Sequence, residues 1–174
     1  LQFKGGVSKY EKIKKDIIKL LNDSSVKTVT TLIDYYGFPA DFPGGIPTGI
    51  DCYEKVSKLE NRFSEDINNK RFVPFLELHE FEALIFSAPE KIIDTFAPLK
   101  LTSKNELEKI TKTYLSPEEI NDGNTTHPSA RLQNIIPEYD KTLYGAMIAK
   151  RIGLSEIRSK CKHFNEWLMK IENE

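Results

Sequence analysis

The chain has 174 residues, 39% of them apolar and 29% charged, which suits one ordinary globular domain with a buried core and is short for two. A formal charge of −1 and a pI near 6.4 exclude a global field that would draw in nucleic acid or an anionic membrane, so any such partner needs a local patch. No apolar run approaches the ~20 residues that cross a bilayer, nothing at the N-terminus resembles a signal peptide, and Cys52 and Cys161 lie far apart without metal-like spacing, which points to free thiols in a reducing, cytoplasmic setting.

Leu1-Gln2-Phe3 followed by Lys4-Gly5-Gly6 reads as the tail of a strand, so a strand is expected upstream of Leu1. Ser8 and Glu11 have the spacing of a capping box, and Tyr10, Ile13, Ile17 and Leu20 or Leu21 then recur as one apolar stripe of a helix. Lys9, Lys12, Lys15 and Lys19 fall on another face, which reads as solvated surface. The Gly5-Gly6 turn can offer amides to a phosphate, but it lacks the GxxxxGK[ST] pattern.

Val26 to Ile33 is rich in β-formers and predicts a strand that stops at Asp34. A long loop dense in Pro and Gly follows, from Tyr35 to Gly49. Asp51 with Glu54 repeats the capping spacing, and Cys52, Val56, Leu59, Phe63 and Ile67 trace a helix to about Asn68. Phe72 to Leu78 is a nearly continuous apolar run, the pattern of a strand buried on both faces. The connection between the two strands has the length of a right-handed parallel crossover, which would bring Asp34 and the cluster Glu77, His79, Glu80 and Glu82 to the same edge of a parallel sheet, where ligands bind in open α/β folds.

Beyond Ser87 the pattern turns helical. Helices are expected from Pro89 to Phe96, Ser103 to Tyr114, from Ser116-Pro117, from His127-Pro128 to Pro137, Lys141 to Ile152 with Gly153 as stop, Ser155 to Cys161 and Phe164 to Ile171, with a polar loop at 121–126. The fold class expected is therefore α/β, a Rossmann-like, mainly parallel sheet flanked by helices, formed as one domain with a sheet core over 1–88 and a helical extension over 89–174.

Glu77 is the sharpest candidate for chemistry, because a carboxylate inside an apolar strand must be paired, protonated or metal-bound. A buried ion pair is the alternative for Glu77, and turn capping is the alternative for Asp34. A strand-end aspartate with one or two glutamates nearby is the oxygen-donor set that a hard cation such as Mg²⁺ (or Mn²⁺) takes, which makes Asp34, Glu77 and Glu80 the candidate metal ligands. His79 is a candidate general base or phosphate contact, or a hydrogen-bonding residue of the strand end; Glu82 suits the first turn of a helix. His79-Glu80 is not the start of a zinc-peptidase HExxH motif, since Ala83 occupies the last position. Arg131 and Lys141 are candidate phosphate contacts, or ordinary surface cations, and Tyr36 is a further candidate substrate contact.

The segments TTLIDYYGFPADFPGG, LELHEFEALIFS, HPSARL and GLSEIRSKCKHFNEWL resemble, in order, the signature blocks of an uncharacterised prokaryotic family, the domain of unknown function with serial number four-two-seven-six. That family is similar to the Toprim group of topoisomerase and primase domains and of nucleases of the overcoming-lysogenization-defect type. The resemblance implies a Toprim-like fold and Mg²⁺-dependent, nuclease-like chemistry on phosphodiesters, in phage defence or DNA repair. Asp34 then matches the first aspartate of the Toprim Asp-x-Asp motif, Tyr36 stands where the second would be, and Glu77 or Glu80 supplies a later carboxylate. Two other functions fit the same fold: a non-catalytic binding module partnering an ATPase encoded in the same operon, and a hydrolase of small-molecule phosphates.

Overall fold

The computed structural model describes residues 9–35, 39, 41–43, 45, 49–120 and 126–173. Tyr36, Ser8, the Gly5-Gly6 turn and the loop residues 121–125 lie outside them. The chain divides into two compact units, Leu1–Glu77 with Trp167–Glu174 and Leu78–Glu166.

In the first unit, helix α1 (Tyr10–Leu21) buries Tyr10, Ile13, Ile17 and Leu21, the stripe that the spacing predicts, while Leu20 turns to solvent. Its N-cap is Lys9, which gives no side-chain cap; the Tyr10 amide donates instead to Asp41 Oδ1 at 3.0 Å. Helix α2 (Cys52–Ile67) starts as its sequence dictates, with the Asp51 carboxylate accepting from the Glu54 amide at 2.8 Å. It ends on Asn68 in the left-handed region, a conformation that asparagine tolerates. Tyr10, Phe42, Phe63 and Phe72 meet edge to face around Phe63, which is fully buried.

The two predicted strands do pair in parallel, but in two short ladders. Strand β1 (Val29–Thr30) pairs with β3 (Phe72–Val73), and β2 (Ile33–Asp34) with β4 (Leu76–Glu77), in the register Val29↔Phe72, Thr30↔Val73, Ile33↔Leu76 and Asp34↔Glu77. Pro74 explains the break, because it has no amide to give a ladder. The Thr31 hydroxyl takes over: it accepts from the Phe75 amide and donates to the Phe75 carbonyl, both at 3.0 Å. Thus the α/β class and the parallel pairing stand, and among the described residues the sheet is small. Trp167 completes the unit, stacked on Phe75 at 4.4 Å between ring centroids and donating from Nε1 to Thr30 Oγ1 at 2.8 Å.

One buried polar contact ties α2 to β4. Glu60, 7% exposed, accepts the Leu76 amide at 2.9 Å. Glu60→Ala should lower stability by ~1–3 kcal/mol, because the amide would be left buried without that acceptor, whereas Glu60→Gln keeps a carbonyl oxygen there and should stay near the parent. Urea denaturation of both variants checks this.

The second unit is helical. Helices α3 (Glu82–Ile85), α4 (Pro89–Thr95), α5 (Leu101–Thr113), α6 (Pro128–Ile135), α7 (Lys141–Ile152) and α8 (Leu154–Lys160) follow in order, with a short 3-10 turn at Pro117–Glu119, and α9 spans Lys162–Glu172. The core gathers Ile85, Phe86, Ile92, Leu107, Ile110, Ile120, Leu132, Ile136 and Ile148. Proline at the first position opens α4, the 3-10 turn and α6, and Gly153 at φ 85° stops α7, as the sequence indicates. Glu118 is fully buried and accepts the amides of His163 and Phe164 at 3.0 and 2.8 Å, neutralising the start of α9.

Candidate functional site

The strand-end carboxylates come from the first unit. Asp34 and Glu77 are Cα partners at the carboxyl ends of β2 and β4, and partnered residues of adjacent strands send their side chains to the same face. Asp34 is half-buried and Glu77 fully buried. The Tyr35 amide donates to the Glu77 carbonyl at 2.9 Å, extending the pairing by one step, and burial raises the Tyr35 hydroxyl above its usual pKa. Among the described residues no three His, Cys, Asp or Glu side chains are grouped to hold a metal ion.

His79 follows at once, in the second unit, with φ 69°. The Glu80 amide donates back to the Leu78 carbonyl at 3.1 Å, which makes His79 the centre of a γ-turn in its rare positive-φ form. His79 itself is buried. A positive φ at a residue that is not glycine is a strained conformation.

Glu80 and Glu82 form a second site, which is one network. Glu80, 6% exposed, has Oε2 at 3.0 Å from the Ser129 amide and 3.1 Å from His127 Nδ1, and Oε1 at 3.2 Å from Ser129 Oγ and 3.3 Å from Lys141 Nζ. An ionised carboxylate only accepts, so this contact needs the His127 proton on Nδ1, whereas the cap of α6, in which the same nitrogen accepts from the Ala130 amide at 3.4 Å, needs Nδ1 without one; the nitrogen serves one of the two at a time. Burial pushes the Glu80 carboxyl up, but the Ser129 amide, Lys141 and the Ser129 hydroxyl outweigh it, so the group is held below the usual carboxylate range. With four contacts on its two oxygens, Glu80 has its lone-pair directions filled by protein donors. In this network Glu80 is a charge-compensated anchor for the start of α6.

Glu82 is fully buried, 3.1 Å from Lys141 Nζ and 3.3 Å from the Tyr139 hydroxyl, which donates to it. Here burial wins over the attraction of Lys141, and the Glu82 carboxyl is raised above its usual value. Burial opposes the charge of Lys141, yet Glu82 and Glu80 together raise the ammonium above its ordinary range. Tyr139 is raised strongly, first by burial and then by Glu82. Lys141 is thus the shared cation of two buried carboxylates and not an ordinary surface charge, and Glu82 does more than complement a helix dipole. Arg131 is held too: it donates from Nε to the Thr126 carbonyl and from a terminal nitrogen to Tyr114 Oη at 3.0 Å.

His127, Ser129 and Tyr139 complete a network of which the sequence pattern singles out Glu80, Glu82 and Lys141. The block HPSARL signals a helix start, His127 capping and Pro128 at the first position, but nothing local shows that Glu80 is its partner.

These features define an α/β protein with short parallel strands, an acidic pair at their carboxyl ends, and a buried carboxylate network on a helical unit. The sequence pattern of the family described as Domain of unknown function (DUF4276) matches residues 2–172, and the chain belongs to that family. No curated protein and no solved structure matches the chain. Among the described residues no helix is long and apolar enough to cross a membrane.

Proposed function

We propose that this protein is a Toprim-like, Mg²⁺-dependent enzyme that processes nucleic-acid phosphodiesters, with Asp34 and Glu77 as the residues that hold the cation. The observation that carries this reading is their register: two carboxylate-bearing residues are Cα partners at the carboxyl ends of parallel strands. The donor set fits the ion, since Mg²⁺ is held by one or two carboxylates and completes its shell with water and phosphate oxygens. When bound, such a cation polarises a phosphoryl oxygen and lowers the pKa of bound water. Glu77 is fully buried and carried on a strand, and Asp34 is the more exposed of the two. The motif resemblance supports a setting in phage defence or DNA repair. One sequence feature supports a second reading, a non-catalytic module partnering an ATPase: Tyr36 stands in place of the second motif aspartate.

Titrating Mg²⁺ and Mn²⁺ against single-stranded and duplex DNA and RNA tests the proposal. The parent should cleave only with metal, and Asp34→Ala should lose at least about a hundredfold in rate, the scale of one electrostatic contact removed from a reacting centre. Cleavage that survives chelation, or an Asp34→Ala variant as active as the parent, overturns it. Absence of metal affinity together with tight binding to a purified operon ATPase favours the module.

A further inference from the structure

We propose that the groove between α5 and α6 is a binding site for a nucleoside phosphate, a reading that does not depend on Asp34, Glu77 or any metal. The groove has a volume of about 620 Å³, within the ~300–1,000 Å³ typical of small-molecule sites. Its charge is set by two cations, Lys109 of α5 and Arg131 of α6, against one carboxylate, Glu106. An anionic group is therefore what the lining favours.

Arg131 is prepared for that task. Its bonds to the Thr126 carbonyl and the Tyr114 hydroxyl fix the guanidinium, and its Cζ lies 5.7 Å from the centroid of the Tyr114 ring. A planar fork held in place loses little freedom when it meets a phosphate. The rest of the lining suits more than an inorganic anion. Ile110 and Ile135, each 7% exposed, supply apolar surface, and Asn105 and Asn134 supply side-chain amides, which both donate and accept as the edge of a nucleobase requires.

Calorimetric titration of the full chain in EDTA, with AMP, adenosine and inorganic phosphate as probes, tests the assignment. AMP should bind one to one, and adenosine and phosphate each at least about tenfold more weakly, since each keeps half of the contacts. Lys109→Glu should weaken AMP about tenfold, and Glu106→Gln should tighten it about threefold, the sign following the removed or reversed charge. Both side chains are on exposed positions of α5, and unchanged thermal midpoints confirm that the fold is kept. No AMP binding, or an affinity indifferent to Lys109→Glu, overturns the proposal, and phosphate binding as tight as AMP overturns its nucleoside part. Because chelator is present, failure here leaves the metal-dependent reading untouched, and failure of that reading leaves this one.

Discussion

Lys141→Met should destabilise the second unit by about 2–3 kcal/mol at pH 8 and by clearly less at pH 5. The ammonium lies 3.3 Å from Glu80 and 3.1 Å from Glu82, and removing it leaves a fully buried carboxylate facing only a tyrosine hydroxyl among the bonds described above. Breaking a buried pair by deleting one partner costs roughly 3–5 kcal/mol, and we place the effect lower because the Lys141 side chain is 44% exposed and water can take part of its role. The pH dependence follows from Glu82. Its folded pKa is already raised, so the folded state holds the proton more tightly than the unfolded chain, and stability falls as pH rises from the ordinary carboxylate value through the folded one. Without Lys141 that raised value climbs further and the deficit widens with pH. Glu80 has the opposite sign: its lowered pKa gives stability present above the ordinary carboxylate value and lost as pH falls through the folded one. Urea denaturation at the two pH values decides, and a deficit equal at both would show that Lys141 does not govern Glu82.

Phe63→Ala should cost about 3–5 kcal/mol, the range for deleting a buried aromatic ring and leaving its cavity. Phe63 has no exposure and sits at 5.7, 5.1 and 4.8 Å, centroid to centroid, from Tyr10, Phe42 and Phe72. It therefore joins α1, α2, the loop before α2 and strand β3, and a cavity here is bordered by rings that cannot collapse into it without leaving their edge-to-face contacts. Phe63→Leu keeps most of the volume and should cost well under half as much. Chemical denaturation gives both values, and near-ultraviolet circular dichroism reads the loss of ring packing. An alanine variant within about 1 kcal/mol of the parent would mean that the cluster is not the centre of the unit.

Local patterns made much of the first unit legible. The stripe Tyr10, Ile13, Ile17, Leu21 and the capped helix from Asp51 follow from spacing and turn chemistry alone, and the length of the link between the apolar strands was enough to argue their parallel pairing and the meeting of Asp34 with Glu77. The break in the ladder was also readable, since Pro74 stands in the middle of the run, but the apolar pattern outweighs a missing amide when hydropathy alone is followed. The second network resisted reading for a different reason. Glu80 meets Ser129 and Lys141, and Glu82 meets Tyr139, at separations of 49, 61 and 57 residues, and no local rule specifies such partners. A short side-chain list around HEFE and HPS names the participants without saying that they touch.

Helix α6, only eight residues long, begins at the cap that seats Glu80 and carries Arg131 within its first turn. One short element therefore supplies both the donors that hold the acid, from its cap and first residues, and the guanidinium that lines the groove.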